Sequence, residues 1–128
     1  MNGRKLGEII SHITGGQMKC EGPTIHFQIE GSTLLCIFDE THERMRVICP
    51  VIAFDQVTTQ QREAVMEANF HSALDARYAV SNGTLYATFI HPLPSLTERD
   101  LISAIHQTHQ LASTFGTDYT SGALHFGG

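Results

Sequence analysis

The stretch Arg77–Leu93 reads RYAVSNGTLYATFIHPL. Two alternating runs, Arg77 to Ser81 and Thr84 to His91, flank Asn82-Gly83, and Pro92 and Pro94 end the second run. Asn-Gly between alternating runs is the strongest short-range sign of a β-hairpin, because a type I′ turn needs positive φ at both central residues. The period of two puts Tyr78 and Val80 on one face of the first strand. It puts Leu85, Ala87 and Phe89 on one face of the second. Directly beyond, either Ser95 with Glu98 or Thr97 with Asp100 can form a capping box. A long helix follows, with Leu101, Ile102, Ile105, Ala112 and Phe115 as its apolar stripe. The stretch is therefore expected to end a sheet and launch a final helix.

Upstream, Thr58 with Gln61 resembles a second capping box. It opens a helix from Thr59 to about Leu74, whose expected buried stripe is Val65, Met66, Phe70, Ala73 and Leu74. Before it lie two nearly continuous apolar runs, Thr33 to Asp39 (TLLCIFD) and Met45 to Phe54 (MRVICPVIAF), joined by a loop near Thr41 to Arg44. A symmetric hairpin register would set Asp39 opposite Arg46 and Cys36 opposite Cys49, with the charge pair favouring it slightly. Pro50 cannot donate to a ladder, so its strand should bulge there or lie at an edge. Thr24 to Glu30 alternates, with Ile25, Phe27 and Ile29 pointing one way. At the start, Leu6, Ile9, Ile10 and Ile13 make one stripe of a helix over Gly3 to Thr14. Asn2 can cap it and Gly15-Gly16 can end it.

The order that results is α-β-β-β-α-β-β-α. Consecutive hairpins make an antiparallel sheet, and the helices pack on it, so the fold class is α+β. At 128 residues one domain spanning 1–128 is expected, with a Gly-rich tail over 120–128 loosely held and Leu124 and Phe126 available to dock.

Composition narrows function. The net charge is −5, with eight Lys and Arg against thirteen Asp and Glu. Nucleic-acid binding is not expected, because phosphate contact needs clustered cations. The start lacks a signal-peptide pattern and no run suggests a membrane span, so a cytoplasmic protein without membrane contact is expected. Cys20, Cys36 and Cys49 fit neither a disulfide framework nor a metal-binding CxxC, and three reduced thiols are expected.

The element order and lengths, carried best by DARYAVSNGTLYATFIHPLPSLTERDLISAI over Asp75–Ile105, resemble those of the type III secretion chaperone fold and of the YbjN-type domains that share it. The resemblance spans nearly the whole chain. It implies a homodimer that holds a partner polypeptide against exposed apolar surface. No catalytic or ligand motif defines these families.

The residues themselves add one argument. A two-layer domain covers one sheet face, so strands should alternate apolar and polar. The two long apolar strands do not: Cys36, Phe38, Val47 and Cys49 share one face, and Leu35, Ile37 and Ile48 share the other. Something must cover both faces: a third helix, a second subunit or a partner peptide. Leu35, Ile37, Phe38, Val47 and Ile48 are the candidate partner-binding residues.

Candidate chemistry is sparse. His106 and His109 in AIHQTHQ lie three apart and could share a helix face, but two ligands do not make a tight metal site. His42, in DETHER, reads as part of a solvated turn. There is no GxSxG elbow, the cysteines sit in apolar strands, and the Gly pairs lack the context of a phosphate cradle. Neither catalytic residues nor a metal or cofactor are assigned. The expected function is a non-enzymatic chaperone-like or adaptor module that binds a protein or peptide partner as a homodimer. The alternative is a small-molecule sensory or regulatory domain, with a pocket between helix and sheet lined by Phe27, Phe38 and Phe89.

Overall fold

The computed structural model describes residues 1–122, and the expected docking of Leu124 and Phe126 lies outside the described residues. The chain forms α1 (Gly3–Thr14), β1 (Met18–Glu21), β2 (Thr24–Ile29), β3 (Ser32–Asp39), β4 (Arg44–Ala53), a 3-10 turn (Phe54–Gln56), α2 (Thr59–His71), β5 (Arg77–Ser81), β6 (Thr84–Pro92) and α3 (Glu98–Ser113). The six strands make one antiparallel sheet in the order β1-β2-β3-β4-β6-β5.

The local signals explain most boundaries. Asn2 accepts a hydrogen bond from the Lys5 N–H at 2.9 Å, and α1 ends at Gly15 in the left-handed region. Both later helices begin in complete capping boxes, Thr58 with Gln61 and Thr97 with Asp100. Asn82 and Gly83 adopt φ 47° and 77°, as a type I′ turn demands, and Ser81 pairs with Thr84 across it. Pro50 lies beside a bulge: the register shifts between Pro50 and Ile52, which turns Ile52 inward opposite buried Leu85.

Three expectations are corrected. First, the sheet has a strand ahead of the expected first one. β1 is four residues long and pairs with β2 around Gly22-Pro23, with Gly22 at φ 58°. MKCE carries too little pattern to signal a strand, although Gly-Pro is itself a turn signal. Second, β3 and β4 pair with Asp39 opposite Arg44 and Cys36 opposite Val47, not with Arg46 and Cys49. Loop geometry set this register: a four-residue loop closes the hairpin with Glu43 at φ 55°. The shift is even, so no side chain changes face. Third, α2 ends at His71 and buries Val65 and Ala68, while Met66 and Phe70 stand 70% and 76% exposed. Ala73 is buried beyond the helix end, and Leu74 is half-buried at φ 55°. The helix lies beside β5 at the sheet margin, so it needs only a narrow stripe.

The core lies between α1, α3 and one sheet face, and Leu6, Ile10, Ile25, Phe27, Leu34, Val47, Leu85, Leu101 and Ile105 are almost wholly shielded within it. Part of the expected tail is tied down. The Ser121 N–H donates to the Ser72 carbonyl at 3.1 Å, and the Ser121 hydroxyl donates to the Ala73 carbonyl.

Candidate functional site

The strand pairings sort the sheet into two faces. Cys36, Phe38, Met45, Val47 and Cys49 point toward the helices, as do Tyr78, Leu85, Ala87 and Phe89 on the last hairpin. Leu35, Ile37, Arg46, Ile48, Tyr86, Thr88 and Ile90 point the other way. No described helix covers that second face: Ile37 is 36% and Ile90 56% exposed, and Leu35, Ile48, Tyr86 and Thr88 are half-buried. Successive pairings align Lys19, His26, Leu35, Ile48, Thr88 and Arg77 in a row across all six strands. The neighbouring row carries Thr24, Ile37, Arg46 and Ile90. Between them is an open depression of about 290 Å³, lined in part by Ile37, Arg46, Ile48, Tyr86 and Thr88.

The five sequence-derived candidates divide. Leu35, Ile37 and Ile48 belong to this open face. Val47 is fully buried under the helices and is withdrawn as a contact residue. Phe38 also faces the helices, where the first turn of α1 lies on its ring. A Cβ on Gly3 would come within 2.4 Å of that ring, so glycine is what lets the helix approach. Arg46 also belongs to this face, and a pattern of apolar residues alone does not mark a cation at such a position. Tyr86 and Ile90 were missed because the last hairpin was read from its inward residues.

A second exposed apolar surface is the Met66 and Phe70 pair, one turn apart on α2. Beside it, the free edge of β5 is partly closed by Asn69. Its side-chain amide donates to the Tyr78 carbonyl at 3.1 Å, and its oxygen accepts from the Tyr78 N–H at 2.8 Å. This pair of bonds mimics a neighbouring strand and blunts the edge.

The reactive side chains have structural surroundings. Burial pushes the Cys36 thiol up to about 12 and also raises that of Cys49, so neither supplies a thiolate. All three cysteines are free, and Cys20 is exposed. The Tyr78 hydroxyl donates to the Leu111 carbonyl at 2.7 Å, and burial raises its pKa. His109 lies 3.3 Å from a Glu30 oxygen, while His106 is exposed. His42 sits in the solvated loop, 2.7 Å from an Asp39 oxygen, and its hydrogen bonds hold the Asp39 carboxyl below its usual range. Among the described residues no three His, Cys, Asp or Glu side chains converge for a metal. No described helix is long and apolar enough to cross a membrane.

This architecture, a twisted antiparallel sheet with helices on one face, is that of the type III secretion chaperones. A chain of the HopA1–SchA chaperone–effector complex superposes with a TM-score of 0.69 at 14% identity, covering 88% of this chain and 91% of that one. A chain of the ExsC–ExsE complex gives 0.66 at 11% identity, covering 88% and 92%. A chain of the complex of the Yersinia pestis type III secretion chaperone SycH with a stable fragment of YscM2 gives 0.67 at 13% identity, covering 90% and 100%. No family model and no curated protein sequence matches the chain. The likeness is one of fold.

Proposed function

We propose that the protein is a non-enzymatic chaperone-like or adaptor module that holds a protein partner against the open face of its sheet and works as a homodimer. The observation that carries this reading is the uncovered face itself. Leu35, Ile37, Ile48, Tyr86 and Ile90 put apolar surface on a face that the described helices leave uncovered. Apolar patches of that kind mark interaction sites. The structural neighbours named as chaperones were solved with protein partners, which fits the same use of the fold. Exposed Met66 and Phe70 on α2 offer a separate apolar surface for a second copy.

No observation favours the small-molecule alternative. Phe27 and Phe89 are buried in the core, and Phe38 packs beneath Gly3, so the three rings fill the helix–sheet interface themselves.

The test is co-purification from the native cell, comparing wild type with an Ile37→Asp/Ile48→Asp variant whose fold is verified by circular dichroism. A discrete protein partner that copurifies with wild type and is lost with the variant is the expected result. A partner retained by the variant, or none at all, would count against the open face.

A further inference from the structure

We propose that the segment seated on the open sheet face is an acidic one: an apolar stretch of the partner that carries Asp or Glu and pairs a carboxylate with Arg46. This rests on the open face being the partner-binding surface.

The charge distribution points there. The chain as a whole is acidic, with a net charge of −5, yet four of its eight Lys and Arg residues (Lys19, Arg44, Arg46 and Arg77) have register positions on this face. The strands place two carboxylates, Glu21 and Asp39, on the same face, so the cations outnumber them. Glu21 lies 2.9 Å from the Lys19 ammonium, and Asp39 lies 2.7 Å from His42. In the adjoining loop Glu40 accepts from the Gly3 N–H at 3.0 Å, on the helix side, and Glu43 is exposed at the rim. Arg44 and Arg77 donate to backbone carbonyls; Asp39 stands opposite Arg44 in the strand register, and Arg77 makes no ion pair among the described residues. Arg46 forms no ion pair or hydrogen bond among the described residues.

Arg46 is also central. It stands between Ile37 and Ile90, on the middle strands of the sheet, and lines the depression. The Thr88 hydroxyl in the same depression is shielded from solvent and has no hydrogen-bond partner among the described residues. An arginine amid isoleucines, beside an unused hydroxyl, matches a carboxylate on an apolar segment. A guanidinium binds a carboxylate through two parallel hydrogen bonds, and apolar neighbours strengthen the pair by excluding water.

The same charges argue against a second copy on this face. A two-fold axis through the centre of the face would bring Arg46 close to its own copy, and like charges in contact are costly.

The probe is a random linear-peptide library displayed on phage and selected on the intact protein. Enriched sequences are then tested as synthetic peptides by fluorescence anisotropy, on wild type and on Arg46→Glu, Arg46→Gln and Phe70→Glu. Enriched peptides should be apolar with a net negative charge. They should lose about tenfold or more in affinity with Arg46→Glu, less with Arg46→Gln, and nothing with Phe70→Glu. Neutral or basic peptides, no enrichment, or affinity indifferent to Arg46 would overturn the proposal. So would self-association that Arg46→Glu abolishes, since a second copy would then own the face. A native partner that copurifies with Arg46→Glu but is lost with Ile37→Asp/Ile48→Asp would sink the acidic-segment proposal alone and leave the chaperone-like reading standing.

Discussion

Gly83 sits at φ 77°, and a Cβ placed on it would meet nothing within 4 Å. Any penalty for a side chain there is backbone strain alone. Gly83→Val should therefore destabilise by about 1–2 kcal/mol, since a β-branched residue fits poorly at positive φ. An unchanged melting temperature would mean the turn tolerates another geometry. Gln107 presents the opposite case, a buried polar side chain with every group used. Its oxygen accepts from the Asp75 and Ala76 N–H groups at 3.0 and 3.1 Å, and its nitrogen donates to Asp75 and Ser103 at 3.1 and 3.0 Å. Gln107→Leu would strand amides that enter β5, costing about 1–3 kcal/mol in a urea-unfolding measurement. A neutral result would show that the α2–β5 connection relaxes to meet water. Gln107 could not be singled out from sequence, because Asp75 and Ala76 lie more than thirty positions away and only the fold brings them to it.

At the scale of elements, helix starts were legible because caps are local. The α3 capping box also makes a pH prediction. The Asp100 carboxylate lies against the Thr97 side chain and accepts from the Thr97 N–H at 3.3 Å, and these contacts hold it below its ordinary value of 3.8. A lowered folded-state pKa means stability that is present above the unfolded value and lost as pH falls through the folded one. Thermal stability should thus drop as pH falls below about 4, near the unperturbed Asp pKa, and Asp100→Asn should flatten part of that drop. Identical acid limbs in the two proteins would rule out a contribution from this cap. The α2 face was misjudged at the same scale. Val65 and Met66 are adjacent, so they differ by about 100° around the helix, and periodicity cannot say which of two overlapping stripes turns inward. That choice was made by β5, through the Asn69 clamp on Tyr78.

At the scale of the molecule, two exposed surfaces among the described residues differ in chemistry. The α2 surface is apolar with Met66 and Phe70 prominent, and the sheet face mixes isoleucines with cations. If α2 carries the homodimer contact, light scattering should give about twice the 14.1 kDa chain mass at micromolar concentration, and Met66→Glu/Phe70→Glu should return the monomer with its melting curve intact. A wild-type monomer throughout would remove the dimer from the proposed function. By itself, the sequence determined the caps of α1 and α2, the Asn82-Gly83 turn, the break at Pro50 and the division of the strands into two faces, because each depends on residues close in the chain; for α3 it offered two capping boxes, and the structure uses Thr97 with Asp100. Tertiary structure alone decided the fate of Met66 and Phe70, and which sheet face stays open with Arg46 at its centre. Alternation states that two faces exist, but only the packing of distant helices can select the one that is covered.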